Sequence, residues 1–486
     1  MKSEHITYHH TLMCYRSILL IVLLTFGLAS CKKLITVDAP STSISSENVY
    51  TNDGTATAVL TDIYANLSAQ NSSLYLGTGL PGLSLLASLS ADELTLYNLN
   101  NNALLSYYIN DLTSFTIPNL WEAAYPVIFV TNAAIEGLSN TDALTPAVRR
   151  QLMGEARFMR AFCFFYLVNL YGDIPLPLST NYQINAGLPR AEKTKAYDQI
   201  ILDLLEARQL LRDEYVAADA LSPTNERVRP TSWAAAALLA RAYLYRGDYL
   251  NAEKQASDVI NHGSLYSLPN LDAAFLKNST EAIWQLQPVG IQKDRNTGEG
   301  KLFVLPDTGP DNRNYPVYLS DHLVDSFEAG DQRRVQWIDS VMANGNTYHY
   351  ASKYKIGWED VPTAEYVVVL RLGEQYLIRA EARAHSGNLT GAVADLNSIR
   401  HRAGLPNTPA ITAPDLLKAI LQERKAELFT EWGHRWLDLK RSQMVNAVMD
   451  IVAPQKGGAW RNTAQLYPIP QTELQKDLNL TQNAGY

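Results

Sequence analysis

The chain has 486 residues, 41 Lys+Arg against 49 Asp+Glu, a formal charge of −8, and is 47% hydrophobic. With no basic block to neutralise phosphates, nucleic acid is not an expected partner. Three cysteines give no disulfide framework, so an apolar core must hold the fold.

From the N-terminus, Lys2 and Arg16 precede an apolar run from Ile18 to Ala29, too short for the roughly 20 residues a membrane span takes. Small residues follow and Leu28-Ala29-Ser30-Cys31 closes the run, so residues 1–30 read as a secretory signal. The tetrapeptide resembles a bacterial lipobox, which makes Cys31 the lipidated residue and the lipid a membrane anchor. Met1 and Met13 both stand as starts. Removing the signal takes two bases and one acid away, leaving 39 − 48 = −9. Lys32 to Val49, with Pro40 and a serine cluster, reads as a polar tether.

A helix is expected from about Asn52-Asp53, with Ala56, Leu60, Ile63 and Leu67 on one face. Asn71 to Phe115 breaks into Gly, Ser, Asn and Tyr and reads as a long irregular stretch, either a working loop or a packed excursion. Helical pattern returns from Leu120 through Ile135. Val148 to Leu170 is apolar almost all round after Phe158, the mark of a buried helix, and stops at Gly172 and Pro175. Cys163 lies inside it and is expected to be buried and inert. Another helix covers Ala196 to Leu211. Ala240, Gly247 and Ala252 then set a spacing that Ala380, Gly387 and Ala392 repeat, the small-residue skeleton of a tetratricopeptide helix pair. Two matches so far apart predict scattered hairpins, not a regular solenoid; Ala426 and Gly433 give a partial third. Between them, 282–287 and 366–370 look like strands, and Gly298 to Pro316 like loop. One C-terminal helix is expected from about Leu417 to Lys440. The fold class is therefore mainly α: tetratricopeptide-like hairpins, a loop-rich irregular face and a few short strands.

Catalytic signatures are mostly absent: no His-Glu-x-x-His, paired Cys-x-x-Cys, phosphate loop or Gly-x-Ser-x-Gly occurs. Glu423, Glu427 and Glu431 recur every four residues, which reads as a salt-bridged solvated face. Asp325, Glu328 and Asp331 stand beside Arg333 and Arg334, which favours structural pairing. His401 and His434 neighbour arginines, poor company for a metal, and read as surface or interhelix groups. An enzyme is not expected, nor is a cofactor, and the sequence gives no support for a structural calcium.

Several blocks together resemble the SusD/RagB lipoprotein family. They are 154–162, opening Gly154-Glu155-Ala156-Arg157; Asn169-Leu170-Tyr171-Gly172-Asp173-Ile174-Pro175; 370–382, opening Leu370-Arg371-Leu372-Gly373-Glu374; and 396–405. Glu423 to Leu428, Gly433 to Arg441 and Tyr467-Pro468-Ile469-Pro470 complete the series, in family order from lipobox to C-terminus. Gly373 departs from the alanine more usual there and should cost some helix stability. The resemblance implies a single domain over 31–486, with a SusD-like part at about 31–230 and a RagB/SusD part at about 280–486. It also implies a lipoprotein of the outer membrane of Bacteroidetes-type bacteria, surface-exposed, sitting as a lid on a SusC-like TonB-dependent transporter. Such a protein captures an oligosaccharide, or in some members a peptide, and hands it over for import. A tetratricopeptide scaffold that binds only proteins is the reading from another class.

The family blocks are core positions, so the site is argued from physics. Sugars present flat C–H faces fringed by hydroxyls, which call for exposed aromatic planes with Asn, Asp or Arg at their edges. The chain is rich in such planes, with 27 Tyr and eight Trp against 11 Phe, although many will pack between helices. Two loops supply the mixture: Asp92 to Asn102, with Asp92, Tyr97 and Asn100, and Asp307 to Tyr318, with Asn312, Arg313, Tyr315 and Tyr318. Trp358 is a further loop aromatic.

Overall fold

The computed structural model describes residues 49–68, 82–116, 120–289, 296–359 and 361–486. The signal, Cys31 and the tether lie outside the described residues, as do 71–81 of the irregular stretch. Helix α1 (Asp53–Ser68) begins where the Asn52 side chain accepts the Gly54 N–H at 2.8 Å, and it buries Ala56, Leu60, Ile63 and Leu67. The stretch expected to be irregular holds α2 (Leu83–Ser90), β1 (Leu94–Leu96) and α3 (Asn102–Tyr108). At eight, three and seven residues they are too brief to announce themselves by periodicity.

Helices α4 (Leu120–Ser139) and α5 (Pro146–Tyr171) follow. In α5 proline opens the first turn, every residue from Phe158 to Tyr171 is buried, and Gly172 at φ 75° ends it. Next come α6 (Lys193–Leu210) and the pair α7 (Ser232–Arg246) and α8 (Tyr249–Ile260). In that pair Gly247 takes the left-handed cap at φ 80° and Asp248 caps α8. The chain then leaves the helices for β2 (Ala282–Leu286), α9 (Gly298–Phe303), β3 (Val317–Leu319), α10 (Asp321–Val324), β4 (Ile338–Ala343), β5 (Asn346–Ala351) and β6 (Val367–Arg371). Helix α9 lies in what read as loop; Thr297 caps it, its hydroxyl accepting from Gly300 N–H at 3.0 Å. The chain closes with α11 (Leu372–His385), α12 (Leu389–Arg402), α13 (Ala413–Leu428), α14 (His434–Arg441) and α15 (Val445–Gln455).

The two tetratricopeptide pairs are not scattered in space. Helix α8 packs on α11, so α4, α5, α6, α7, α8, α11 and α12 form one stack of successive neighbours, with α13 also against α11. Ala240, Ala252, Ala380 and Ala392 are fully buried, which is what lets the helix axes approach. Everything between α8 and α11 is an excursion from this stack. Among the described residues its strands, joined by β1 from the N-terminal part, make three antiparallel pairs: β1 with β3, β2 with β6, and β4 with β5.

The expected helix 417–440 is two helices. Thr430 at φ 55° and Trp432 at φ 46° break it, and Trp432 buries its indole, with Nε1 donating to Val368 O at 2.8 Å. The glutamate stripe is not solvated either. Glu423, Glu427 and Glu431 are buried at 3, 0 and 7% exposure. With Glu281 and Asp331 they meet Arg333, Lys353, Arg371 and Arg402 in one buried ionic cage. Charge at helical spacing says nothing about burial when the counter-charges arrive from other segments. Of the two histidines, His434 is buried and His401 is exposed.

Candidate functional site

Strand β1 alternates: Leu94 and Leu96 point inward at 1 and 3% exposure, leaving Thr95 on the outer face. Thr95 sits opposite Tyr318 of β3, and Tyr97 N–H donates to Pro316 O at 2.8 Å just beyond. This pairing brings the two nominated loops together. Between Tyr97 and Tyr318 stands Tyr348 of β5, with ring centroids 6.0 Å from Tyr97 and 5.1 Å from Tyr318, both edge-to-face. Tyr97 is 36% exposed and the other two are half-buried, so the three rings form an accessible arc. Burial raises the Tyr318 hydroxyl above its usual pKa, and Tyr108, Tyr348 and Asp321 nearby push the same way.

Tyr348 was missed from the sequence, yet its strand carries a signal. Asn344 and Gly345, at φ 51° and 77°, form the two-residue left-handed turn that Asn-Gly favours between paired strands. The hairpin approaches the second loop at Gly309 (φ 79°), where a Cβ would fall 2.7 Å from Ala343 Cβ. Beyond that contact Asp311 Oδ1 accepts the N–H groups of Arg313 and Asn314, both at 2.6 Å, and of Tyr315 at 3.2 Å. That turn holds Asn312 and Arg313 exposed at the loop tip and Tyr315 half-buried. Burial lifts the Tyr315 hydroxyl pKa, with Asp311 and Glu359 adding to it. Next to Glu359, Trp358 is 43% exposed and donates Nε1–H to Lys301 O at 3.0 Å.

Asp92 and Asn100 have different settings. Asp92 is 3% exposed, its carboxylate held by Arg435 at 2.7 and 2.8 Å and by Lys425 at 3.0 Å. Burial opposes its charge, but the two cations outweigh burial and hold the carboxyl well below the usual range. It anchors the first loop to α13 and α14. Asn100 is exposed, in the turn before α3, where its N–H donates to Asn98 Oδ1 at 2.8 Å.

Beyond Tyr318 the arc opens into a cleft of about 560 Å³ bordered by Thr95, Tyr108, Tyr318, Asp321, Asp325 and Lys456. That volume lies within the range of small-ligand sites. Among the described residues, no group of three His, Cys, Asp or Glu is placed to hold a metal ion, and no helix is long and apolar enough to cross a membrane.

Two family models match the chain. One described as the SusD family covers 338–486, and one described as starch-binding associating with outer membrane covers 53–244. SusD-like protein P2 of Formosa agariphila is 28% identical over 420 residues, 75% of this chain and 80% of that protein. Starch-binding protein SusD of Bacteroides thetaiotaomicron is 25% identical over 437 residues, 72% of this chain and 75% of its own. A SusD superfamily crystal structure from Bacteroides vulgatus superposes with a TM-score of 0.75 at 20% identity, covering 89% of this chain and 99% of that one. A helix stack of this architecture, family models over both its halves and relatives along most of its length agree: the chain belongs to the SusD-like family.

Proposed function

We propose that the protein captures oligosaccharides on the tyrosine arc and delivers them to a SusC-like TonB-dependent transporter in the outer membrane. The observation that carries the reading is the arc itself: Tyr97, Tyr348 and Tyr318 drawn from three separate segments into one accessible wall beside a cleft. Tyrosine faces stack on the C–H faces of sugar rings while their hydroxyls meet the sugar's own. The starch-binding description of the family model over 53–244 and the starch-binding relative support the same chemistry. Asn312, Arg313 and Tyr315 at the second loop, Asn100 at the first and Trp358 beside them supply polar edges and one more plane, and Asp92 supports the first loop from beneath. The protein acts as a binder without catalysis. Lipid on Cys31 tethers a single domain, 31–486, to the outer membrane at the cell surface.

Retention of purified protein by a panel of neutral polysaccharides and peptide pools tests this. Wild type should be retarded by at least one glycan, and Tyr97→Ala or Tyr348→Ala should weaken that binding about tenfold or more, the scale of losing a central aromatic anchor. Binding to peptides alone would move the assignment to peptide capture. Silence towards both classes would favour a protein-binding scaffold, and unchanged glycan binding by both variants would put the sugar on another face.

A further inference from the structure

The charges bordering the cleft are unbalanced. Asp321 opens α10 and Asp325 caps its end, so the two lie one helical turn apart on one face. Both are exposed, both border the cleft, and among the described residues neither makes an ion pair. Their field reaches the arc: Asp321 acts on the Tyr318 hydroxyl, and both act on His349, the neighbour of Tyr348 in β5.

Among the described residues, no free cation answers them from within the cleft. Lys456 borders it but is 7% exposed, and its ammonium donates to the backbone carbonyls of Leu89, at 2.7 Å, and Ala91. Burial lowers its pKa to about 7, so near neutrality it carries only part of a charge. His322 turns its Nε2 to Gln455 Oε1. Asp92 is already matched by Arg435 and Lys425. Arg334 also reaches His349, from outside the cleft lining.

We propose that Asp321 and Asp325 make this cleft a subsite for an amine-bearing sugar unit, a hexosamine, and turn uronate-bearing glycans away. This rests on the glycan-capturing reading of the arc. Tyr108, Tyr318 and the two aspartates line the same cleft, with Asp321 close enough to act on the Tyr318 hydroxyl. A sugar ring seated there stacks its apolar face on phenol and directs an ammonium to carboxylate, and a cation beside a tyrosine face is itself favourable. A uronate in the same position meets two like charges, offset only by the partial charge of the carbonyl-bound Lys456.

The test is titration calorimetry with three hexamers: glucosamine, its N-acetylated neutral counterpart, and galacturonate. Each is measured against wild type and the Asp321→Asn/Asp325→Asn double variant. Two exposed ion pairs, each contributing a factor of a few, should make the amine hexamer bind about tenfold tighter than the neutral one. That preference should vanish in the double variant and shrink when salt is raised from about 0.05 M to about 0.5 M. Both positions are exposed, so the variant should keep the wild-type melting temperature. The proposal is overturned by galacturonate binding as tightly as the neutral hexamer, by a preference that survives the double variant, or by no binding of the glucosamine hexamer. If the neutral hexamer or a panel polysaccharide still binds, glycan capture stands and only the charge filter falls. If every glycan is silent and a lysine-rich peptide binds instead, both readings fall together.

Discussion

Glu427→Gln is the sharpest probe of what holds the frame. Glu427 sits at the centre of the ionic cage: Oε1 accepts from Arg371 Nη1 at 2.6 Å and from Arg402, and Oε2 accepts from Arg333 Nη1 at 2.9 Å. Glutamine keeps the volume, removes the charge and points an N–H₂ at a guanidinium. Removing one partner of a fully buried pair costs about 3–5 kcal/mol, because the remaining charges stay desolvated. A folded unit spanning 50–486 unfolds with an entropy of about 0.9 kcal/mol per kelvin. The melting temperature should therefore fall by about 3–5 °C in a calorimetric scan. Glu214→Gln is the control, since its pair with Arg212 spans 3.8 Å and its side chain is 68% exposed; it should move by about 1 °C or less. The pH dependence has a defined sign. Burial opposes the Glu427 charge, but Arg402, Arg371 and Arg333 outweigh it and hold the carboxyl well below its ordinary value of 4.5. A depressed folded pKa stabilises above the unfolded value and is lost as pH falls through the folded one. The gap between wild type and variant should hold from about pH 8 to 5 and narrow below. A variant melting within about 1 °C of wild type at neutral pH would refute the reasoning, by showing that desolvation of the cage cancels its attraction.

Two further outcomes follow from local geometry. At Gly300 a Cβ would lie 2.1 Å from Ile356 O, so Gly300→Ala should push away the segment carrying Trp358 and break its bond to Lys301. A loss of about 1–3 kcal/mol and a changed indole emission are expected, and wild-type stability with unaltered emission would count against that contact. Burial pushes the Cys163 thiol up, and the side chain has no exposure. With Cys14 and Cys31 changed to serine, a thiol reagent at about pH 8 should label the protein only on unfolding, and rapid native labelling would show an open path to α5.

What the sequence made legible was local. The apolar circumference of α5, its opening proline and its closing glycine all act within one segment, and the structure keeps them. The alanine–glycine spacing found both helix pairs, though not that α8 stacks on α11 across the excursion between them. The failures share a cause, in that distant segments decide them. Trp432 leaves the helical conformation because its indole packs against Phe162 and Tyr166 and reaches Val368. The glutamate stripe is buried because arginines at 333, 371 and 402 come to it. At the site, the sequence offers Tyr97 and Tyr318 on separate loops, and only the pairing of β1 with β3 makes them neighbours. Tyr348 was within reach, since Asn344-Gly345 between alternating residues announces a hairpin.

The cage also explains how an aromatic arc can be held firmly on an excursion from the helix stack. The hairpin bearing Tyr348 is bracketed by Arg333 before β4 and Lys353 after β5, and both side chains end in the cage. Lys353 Nζ also donates to the carbonyls of Glu427 and Phe429, each at 2.9 Å. Arg371, at the junction of β6 and α11, completes the attachment. Tyr348 is therefore positioned through charges on α13 and the turn after it, while Tyr97 is positioned through Asp92 and its two cations on α13 and α14. Both halves of the arc thus hang from α13. Weakening the cage should then loosen Tyr348 against Tyr97 and Tyr318, and Glu427→Gln should lower glycan affinity although Glu427 is buried away from any ligand. Affinity that stays at the wild-type level while the melting temperature falls would show that the hairpin is held by β4–β5 pairing and its contact at Gly309, and that frame and site are energetically separate.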